Sequence, residues 1–236
     1  MKLLNGEMIF DKQEGAPYYS SAVESRCLER LRFMGKGSGQ FSVRRSDTAP
    51  AGFMHACQVA IITPSAGMVH DDNYHLEWPV EGVDMRSLMW GTPSAVDLPI
   101  SFQFAASVNG DYSITIMEGR NTIHYVTTIA YNAGGGFQQF NIVIPACTSG
   151  SWQSNTLSTY GLKLLLDLGT GSDYESAPNQ WLPYGAWRAP NSVRLIDHAG
   201  AACYIAALQA EPAPFIFVDY DDQQRYINTA NTRLPI

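Results

Sequence analysis

Charged side chains are scarce in this protein. Lys, Arg, Asp and Glu make up 16% of its 236 residues, against about a quarter in an average soluble domain. The 15 basic residues form no long run, and the formal net charge is -7. Because phosphate contacts need clustered Lys and Arg, the sequence excludes nucleic acid as the expected partner.

Cysteine is rare as well, with four in the chain. Cys27, Cys57, Cys147 and Cys203 lie far apart and form no CxxC pair, which argues against a zinc site. An even number allows two disulfides. However, Cys57 and Cys203 fall inside strand-like runs, where free cysteine behaves as a small apolar side chain. We therefore expect free thiols, as in proteins assembled in a reducing cytoplasm.

Long apolar runs are missing. The short apolar stretch at residues 1–4 is followed at once by Asn5, Gly6 and Glu7, which leaves too little length for a signal peptide. No segment reaches the roughly 18 consecutive apolar residues of a membrane span. We expect neither a signal peptide nor membrane insertion.

Alternating apolar and polar residues dominate what the sequence does contain. Hydrophobic residues make up 45% of the chain, and an alternation with a period of two is typical of half-buried strands. Runs with this pattern cover residues 53–62, 98–105, 112–116, 123–131, 139–144, 162–168, 204–210 and 215–218. Many such runs, separated by turn residues, predict an antiparallel β-sandwich or barrel.

Turn and helix signals complete the predicted organisation. Asn109, Gly110 and Asp111 predict a hairpin between two strands, and the glycines at 134–136 predict the next bend. Residues 26–34 and 83–90 are the candidates for short helical turns. Since no internal repeat is visible, we predict one domain over residues 1–236. Within it, residues 1–20 are a candidate attachment segment and residues 227–236 a C-terminal tail.

Several short motifs follow one another in an order that resembles a known family. They are LNGEM (4–8), FDKQ (10–13), VEG (80–82), LMWGT (88–92), LPISF (98–102), GTGSDY (169–174), IAALQAE (205–211) and QRY (224–226). Together they resemble a family of phage and prophage tail-fibre or head-fibre domains over nearly the whole chain. The resemblance implies an all-β, antiparallel jelly-roll sandwich, similar to carbohydrate-binding modules, with one or two short helical turns.

Metal-binding patterns are weak. None of the five histidines pairs with another at the spacing of metal ligands on a helix. Residues 70–75 (HDDNYH) offer carboxylates and imidazoles to a cation, but a solvated loop before a strand is the favoured interpretation. Residues 35–39 (GKGSG) lack the GK[ST] ending of a phosphate loop. We predict no metal ligand and no cofactor.

Catalytic patterns are equally weak. Glycoside hydrolysis needs two carboxylates that face each other across a cleft. Asp167, Asp173 and Glu175 are candidates, yet no spacing selects a pair. Asp167, between Leu166 and Leu168, is expected to face solvent. No GxSxG motif occurs. We therefore predict no catalytic residue.

An aromatic-rich loop over residues 172–190 gives the strongest binding signal. Exposed aromatic rings contact the C–H faces of sugars, while polar groups beside them bind the hydroxyls. We predict a glycan site formed by Tyr174, Trp181, Tyr184, Trp187, Asp173, Arg188 and Trp152. The alternative is that the loop aromatics plug the end of the sandwich, while Trp78 and Trp90 belong to the core.

The expected function follows from the resemblance together with these aromatic residues. We expect a structural, non-catalytic phage virion fibre or appendage protein that displays a receptor- or glycan-binding surface. Its partners are other virion proteins and a host-surface glycan, and a homotrimer is favoured because linked weak sites gain avidity. It is expected in the virion after assembly in the host cytoplasm. The alternatives are a head-decoration or tail-adaptor protein without a ligand and, less favoured, a polysaccharide depolymerase.

Overall fold

Two antiparallel sheets pack face to face and enclose an apolar interior. The computed structural model describes residues 16–20, 25–28, 30–154 and 159–210. These residues form one sheet of six strands and one of seven, with a continuous cluster of buried apolar side chains between them. The predicted all-β, antiparallel jelly-roll sandwich is confirmed.

The strands are named here in chain order. They are β1 (Tyr18–Tyr19), β2 (Ser25–Arg26), β3 (Arg32–Lys36), β4 (Gln40–Ser46), β5 (Ala56–Thr63), β6 (Asn73–Glu81), β7 (Leu98–Ala106), β8 (Gly110–Glu118), β9 (Ile123–Tyr131), β10 (Gln138–Ile144), β11 (Tyr160–Asp167), β12 (Trp181–Pro183) and β13 (Ala202–Ala210). The six-stranded sheet has the order β1-β4-β5-β13-β7-β10, and the seven-stranded sheet the order β12-β9-β8-β11-β6-β3-β2. Short 3-10 helical segments occur at Gly82–Leu88, Ser172–Tyr174 and Leu195–Asp197. Among the described residues, no helix is long enough to cross a membrane.

Phe104 connects the two sheets in the middle of the core. Its ring, on β7, lies 4.9 Å from the ring of Tyr112 on β8 and 5.4 Å from that of Tyr131 on β9. Because β7 belongs to one sheet and β8 and β9 to the other, these edge-to-face contacts cross the interior. Full burial of one such side chain contributes about 1.5–3 kcal/mol. The alternation of apolar residues repeats this arrangement along the strands.

Most predicted strands occur where the alternation placed them. β9 has the predicted bounds, and the run predicted from residue 53 begins at Ala56. The run at 215–218, the tail at 227–236 and residues 1–15 lie outside the described residues. All four cysteines are buried and free, as expected.

The predicted hairpin at Asn109, Gly110 and Asp111 is wrong. The turn joins β7 to β8, but β7 pairs with β13 and β10, whereas β8 pairs with β11 and β9. The chain therefore crosses from one sheet to the other at this turn. A turn sequence sets the local reversal of the chain, whereas the pairing of the flanking strands depends on more distant segments.

The predicted helical turn at residues 26–34 is also wrong, since this segment is the hairpin of β2 and β3. The Leu31 N–H donates to the Leu28 carbonyl over 3.0 Å, and the Cys27 N–H donates to the Leu31 carbonyl over 3.1 Å. Phe33 then buries its ring between the sheets. The second candidate, at 83–90, is confirmed as the 3-10 segment Gly82–Leu88.

Residues 170–178 and 185–194, here called the crossing segment, run over the outer face of the seven-stranded sheet. Trp187 packs there against Met117 of β8 and Leu165 of β11. The Thr115 hydroxyl donates to the Trp187 carbonyl over 3.0 Å. The Ala189 N–H donates to the Ser113 hydroxyl over 2.9 Å. The outward side chains of these strands are therefore buried under the crossing segment.

Asp167 does not face solvent, contrary to the prediction. Its carboxylate is 1% exposed and lies 2.7 Å from the Arg188 guanidinium of the crossing segment. Burial raises the pKa of Asp167, while the positive charge of Arg188 opposes that rise. Arg188 also donates to the backbone carbonyls of Ser192 and Val193. The Arg188 guanidinium thus attaches the crossing segment to β11. It also forms hydrogen bonds within the crossing segment.

Removal of the Arg188 charge should strongly destabilise the fold. Arg188→Met leaves the buried Asp167 carboxylate without its partner, and we expect a loss of about 3–5 kcal/mol in the free energy of unfolding. Urea unfolding followed by circular dichroism measures the loss. Arg86→Met, at an exposed arginine, serves as the control and should change stability by less than about 0.5 kcal/mol. Equal losses in both variants would refute the anchoring role of Arg188.

The buried His75 should make stability depend on pH. Its Nδ1–H donates to the Asn73 side-chain oxygen over 2.7 Å, and its ring lies 5.6 Å from that of Trp187. Burial lowers the pKa of His75 from its usual 6.5 to about 3. Between these two values the unfolded chain binds the proton and the folded chain does not. The contribution of the neutral, buried His75 to the free energy of unfolding is therefore complete above pH 6.5, and it is lost as the pH falls toward 3.

His75→Gln should reduce the slope of unfolding free energy against pH in this window. The expected reduction is about 1.4 kcal/mol per pH unit, the equivalent of one proton. Urea titrations at half-unit intervals from pH 3 to 7 measure it. Gln180→Asn, a conservative change at an exposed side chain that does not titrate, is the control and should leave the slope unaltered. An unchanged slope in His75→Gln would contradict the assignment.

Candidate functional site

Three tryptophans meet at one side of the sandwich and form what we call the tryptophan cluster, Trp90, Trp152 and Trp181. The Trp181 ring lies 5.2 Å from the Trp90 ring and 5.7 Å from the Trp152 ring, edge-on in both cases. Tyr125 of β9, opposite Trp181 in the strand register, adds a fourth ring at 5.2 Å. Trp90 and Trp152 are buried, whereas Trp181 is partly exposed.

Backbone carbonyls hold all three indoles in place. The ring N–H of Trp90 donates to Val96, that of Trp152 to Ser149 and that of Trp181 to Pro145, over 2.7–3.1 Å. Because each indole donor is used in this way, the rings are fixed before any ligand arrives. The accessible part of Trp181 therefore offers ring surface and not its N–H group.

A glycine is required where the chain turns beside the cluster. Gly91 has a φ of +85°, and a Cβ there would lie 2.8 Å from the Gly150 carbonyl oxygen and 3.1 Å from the Trp152 ring. The WGT sequence at 90–92 thus lets two loops approach each other closely enough for Trp90 to pack edge-to-face against Trp152. These two rings are 4.8 Å apart.

Beside the partly exposed Trp181 lies a cleft of about 420 Å³ between β12 and the loop at 149–151. Its lining combines apolar side chains, among them Trp181, Ile123 and Pro183, with polar groups from Arg120, Thr122 and the loop. A cavity of this size is at the small end of ligand pockets and suits one terminal group or a short piece of a polymer.

Arg120 is oriented by a buried carboxylate. Glu118, at the end of β8, has a fully buried side chain that accepts from the Arg120 Nε–H over 3.2 Å and from the Thr122 hydroxyl over 2.9 Å. Arg120 also donates to the Ser151 carbonyl over 2.8 Å. Its side chain is nevertheless 52% exposed. The guanidinium is therefore held firmly and still presents donors at the cleft.

The combination of apolar and polar groups in the cleft lining is chemically suited to a sugar. A partly exposed indole can lie against the C–H face of a pyranose ring, while a guanidinium and hydroxyls bind its hydroxyl groups. None of the residues that line the cleft carries a carboxylate. Within the described part of the chain, no group of three or more His, Cys, Asp or Glu side chains is arranged to hold a metal ion.

The structure divides the seven predicted site residues into two groups. Trp152 and Trp181 meet in the tryptophan cluster, and Tyr184 follows β12 with 81% of its surface exposed. The other four, Tyr174, Trp187, Asp173 and Arg188, lie in the crossing segment away from the cleft lining. Their role as ligand contacts stays a prediction, as does that of Tyr184, and only Trp152 and Trp181 enter the site proposed below.

Each member of the second group already has a partner in the fold. The Tyr174 and Trp187 rings stack at 4.1 Å, and the Trp187 N–H donates to the Thr170 hydroxyl. Asp173 lies 2.7 Å from His70, in an exposed ion pair that includes one end of the 70–75 stretch. The pKa of His70 is raised by its hydrogen bond to Asp173.

Sequence reasoning missed Arg120 and Thr122 as site residues and assigned Trp90 to the core alone. Arg120 and Thr122 follow β8 in a short loop whose sequence has no binding motif. Trp90 is indeed buried, but its ring also packs edge-on against the ring of Trp181. The WGT turn could have predicted the role of Trp90, because its glycine indicates a place where two loops come into close contact beside an indole ring.

No family model matches this sequence, and no curated protein matches it. Similar solved structures include the enzymatically active domain of bacteriophage CBA120 tailspike protein 4, with 8% identity and a TM-score of 0.43 over 88% of this chain. The chain spans 21% of that tailspike chain. The family 11 carbohydrate-binding module of a Clostridium thermocellum cellulosomal cellulase has 11% identity and a TM-score of 0.42, with 82% of this chain and 97% of that chain covered.

A structure of the CBM4 carbohydrate-binding module gives similar values, with 10% identity and a TM-score of 0.42 over 89% of this chain and 99% of that one. Similar structures thus include carbohydrate-binding modules, a phage tailspike domain and an exo-β-agarase. Values of this size carry no argument about the role or the ligand of this chain.

Trp181 should account for most of the fluorescence that iodide can quench. It is partly exposed, whereas Trp78, Trp90, Trp152 and Trp187 are 3–8% exposed. We expect Trp181→Phe to lower the Stern–Volmer constant for iodide substantially, because the most accessible indole is lost. Trp187→Phe, which removes a buried ring, should leave that constant unchanged or raise it. Similar effects of the two variants would contradict the difference in accessibility.

Proposed function

We propose that this protein is a non-catalytic, glycan-binding sandwich of a phage virion appendage, with the cleft beside Trp181 as its binding site. The observation that carries the proposal is the partly exposed Trp181 ring, fixed by the tryptophan cluster and placed beside the oriented Arg120 guanidinium. This pairing of an apolar ring with a hydrogen-bond donor matches the two kinds of surface on a sugar.

Preorganisation supports this function. Binding normally costs side-chain entropy when flexible groups are immobilised. Here Trp181 is held by its N–H bond to Pro145 and by three neighbouring rings, and Arg120 is held by Glu118 and Ser151. The site therefore pays little of that cost on binding. A buried structural plug would not need an exposed guanidinium beside it.

The distribution of carboxylates supports a non-catalytic role. Glycoside hydrolysis uses two carboxyl groups roughly 5–10 Å apart on either side of the scissile bond. The cleft lining contains neither Asp nor Glu, and the nearby Glu118 is occupied by Arg120 and Thr122. The depolymerase alternative therefore gains no support from this site.

The virion assignment rests on the ordered motifs of the sequence, which resemble fibre domains from residue 4 to residue 226. A small, shallow sugar site binds weakly by itself. Repetition of the site in a cyclic homotrimer would raise the avidity by about 100-fold or more when several sites reach one surface. We include this trimer in the proposal.

A purely structural role is the second candidate, and a specific observation favours it. Trp152 and Trp187 are each only 8% exposed, as expected if loop aromatics serve to close the sandwich. Under that interpretation the partial exposure of Trp181 is incidental. The two candidates differ in whether the cleft binds any glycan.

Glycan-array binding, followed by titration with a positive glycan or with host surface polysaccharide, tests the proposal. We expect binding by the wild-type protein and a loss of about tenfold or more in Arg120→Ala and in Trp181→Ala, which remove the donor and the ring. Tyr19→Ala removes an aromatic side chain that is 56% exposed at β1, in the other sheet, and should bind normally.

Trp181→Phe guards against a folding defect, since it retains an aromatic ring in the cluster. Circular dichroism melting curves identify variants that have lost the fold. Wild-type affinity in a folded Trp181→Ala variant would show that the cleft is not the site. Absence of binding by the wild-type protein to the array and to host polysaccharide would favour the structural candidate.

A further inference from the structure

The two sheets differ sharply in the charge of their strands. The six strands of one sheet contain no Asp, Glu or Lys, and their only charged residues are Arg44 and Arg45. The strands of the other sheet carry both signs, at Arg26, Arg32, Lys36, Glu77, Glu81, Asp111, Glu118, Lys163 and Asp167. In a protein with a net charge of -7, the described strands of the six-stranded sheet thus contribute no acidic side chain.

Amide side chains take the place of charges on this sheet. Six glutamines lie in its strands, at positions 40, 58, 103, 138, 139 and 209, together with Asn141. The strands of the seven-stranded sheet contain no glutamine. Each amide both donates and accepts hydrogen bonds, so the sheet displays both functions without net charge.

Several of these side chains form two hydrogen-bonded groups on the outer face, which together we call the amide row. Arg44 donates to the Gln58 side-chain oxygen, and the Gln58 amide donates to the Tyr204 hydroxyl over 2.9 Å. Toward the opposite edge of the same sheet, the Gln103 amide donates to Gln139 over 2.6 Å, and Gln139 donates to Asn141 over 3.2 Å. The members are Arg44, Gln58, Tyr204, Gln103, Gln139 and Asn141.

The strand register places the amide row across five adjacent strands. Arg44 pairs with Gln58, Gln58 with Tyr204, and Gln103 with Gln139. Five strands at about 4.8 Å spacing make the row roughly 19 Å long. The neighbouring residues Cys203 and Ile205 of β13 point into the core, which leaves Tyr204 on the outer face.

Two aromatic rings, those of Tyr204 and Phe137, lie near the middle of the row. Ala105 sits opposite Tyr204 on β7, and Ala206 opposite Gln103, so small side chains surround the tyrosine. The Phe137 ring lies 6.1 Å from that of Tyr204. Arg44, Gln139 and Asn141 are exposed, and Gln103, Tyr204 and Phe137 are partly exposed. Gln58 is only 9% exposed. The accessible part of the row therefore has Arg44 at one end, rings near its centre and the amides of β7 and β10 at the other end.

We propose that this face is a second glycan-contact surface, which takes an extended, uncharged polysaccharide chain laid across the strands. Two arginines are too few to hold a polyanion such as a nucleic acid, and a cationic partner would find no carboxylate on the described strands of this sheet. Exposed amides that both donate and accept match the hydroxyls of a sugar chain, and Tyr204 offers its ring to the C–H groups.

This surface is separate from the cleft. The Pro145 carbonyl, which holds Trp181, lies six residues beyond Gln139, or about 20 Å at 3.4 Å per residue along an extended strand. The inference therefore does not depend on the function proposed for the cleft, and the two surfaces can be tested one at a time.

Affinity electrophoresis in gels with dextran, mannan or galactan, and with alginate as an acidic polymer, tests the inference. We expect at least one neutral polymer to retard the protein and alginate to retard it less. Gln103→Ala combined with Gln139→Ala should weaken that retardation at least tenfold, as should Tyr204→Ala. Tyr204→Phe, which keeps the ring, should retain most of the binding.

Matched variants separate this surface from the cleft. Gln180→Ala removes one exposed glutamine outside both sheets and serves as the control for Gln139→Ala. If row variants that remain folded by circular dichroism bind like wild type while Trp181→Ala does not, the inference is overturned and the cleft stands. The reverse result supports the amide row and removes the cleft. Absence of retardation by every neutral polymer, or stronger retardation by alginate, also overturns the inference.

Discussion

Burial of alternate side chains between two facing sheets is the constraint on which the rest of this structure depends. Phe104 shows it most directly, because its ring reaches across the interior to Tyr112 and Tyr131. Once every second residue of a strand is committed to the core, the others must face outward. Each sheet therefore has an outer face whose side chains are free to vary. In this protein the crossing segment covers part of one outer face, whereas the other carries a row of amide side chains.

The outer face of the seven-stranded sheet is mainly structural. The crossing segment covers part of it, and the Asp167–Arg188 pair and the Trp187 ring fix that cover in place. Buried charge pairs stabilise a fold only when every group finds partners, and Arg188 meets this condition through the carbonyls of Ser192 and Val193. The same segment continues into β12 and so brings Trp181 to the edge of the sheet.

At the open side of the sandwich, the aromatic rings that close the core also form part of the proposed binding site. β9 and β12 belong to one sheet and β10 to the other, and the gap near the end of β10 is filled by the tryptophan cluster. Rings that fill such a gap are rigid and large, and the outermost ring remains partly in contact with water. The plug and binding interpretations of the loop aromatics are therefore compatible, since Trp90 and Trp152 close the gap while Trp181 borders the cleft.

The sequence alone determined the fold class, because a period of two in apolar residues is local information that survives without knowledge of strand partners. It located β9 and most other long strands, the free cysteines and the short helical segment at Gly82–Leu88. It also singled out Trp152, Trp181 and Tyr184 as aromatic residues in loops. It expected a strand only after the 70–75 stretch and so missed the start of β6 at Asn73, since a strand buried on both faces loses the alternation that identifies it.

Only the tertiary structure decided which strands pair, which outward residues are covered and which aromatics meet. The turn at Asn109 carries the chain between sheets because pairing partners for β7 and β8 come from distant segments. Asp167 is buried for the same reason, since its cover arrives more than ten residues later in the chain. Trp90, Trp152 and Trp181 are widely separated in sequence, and so are the members of the amide row. Contacts of this kind arise from packing between remote segments, and no local pattern encodes them.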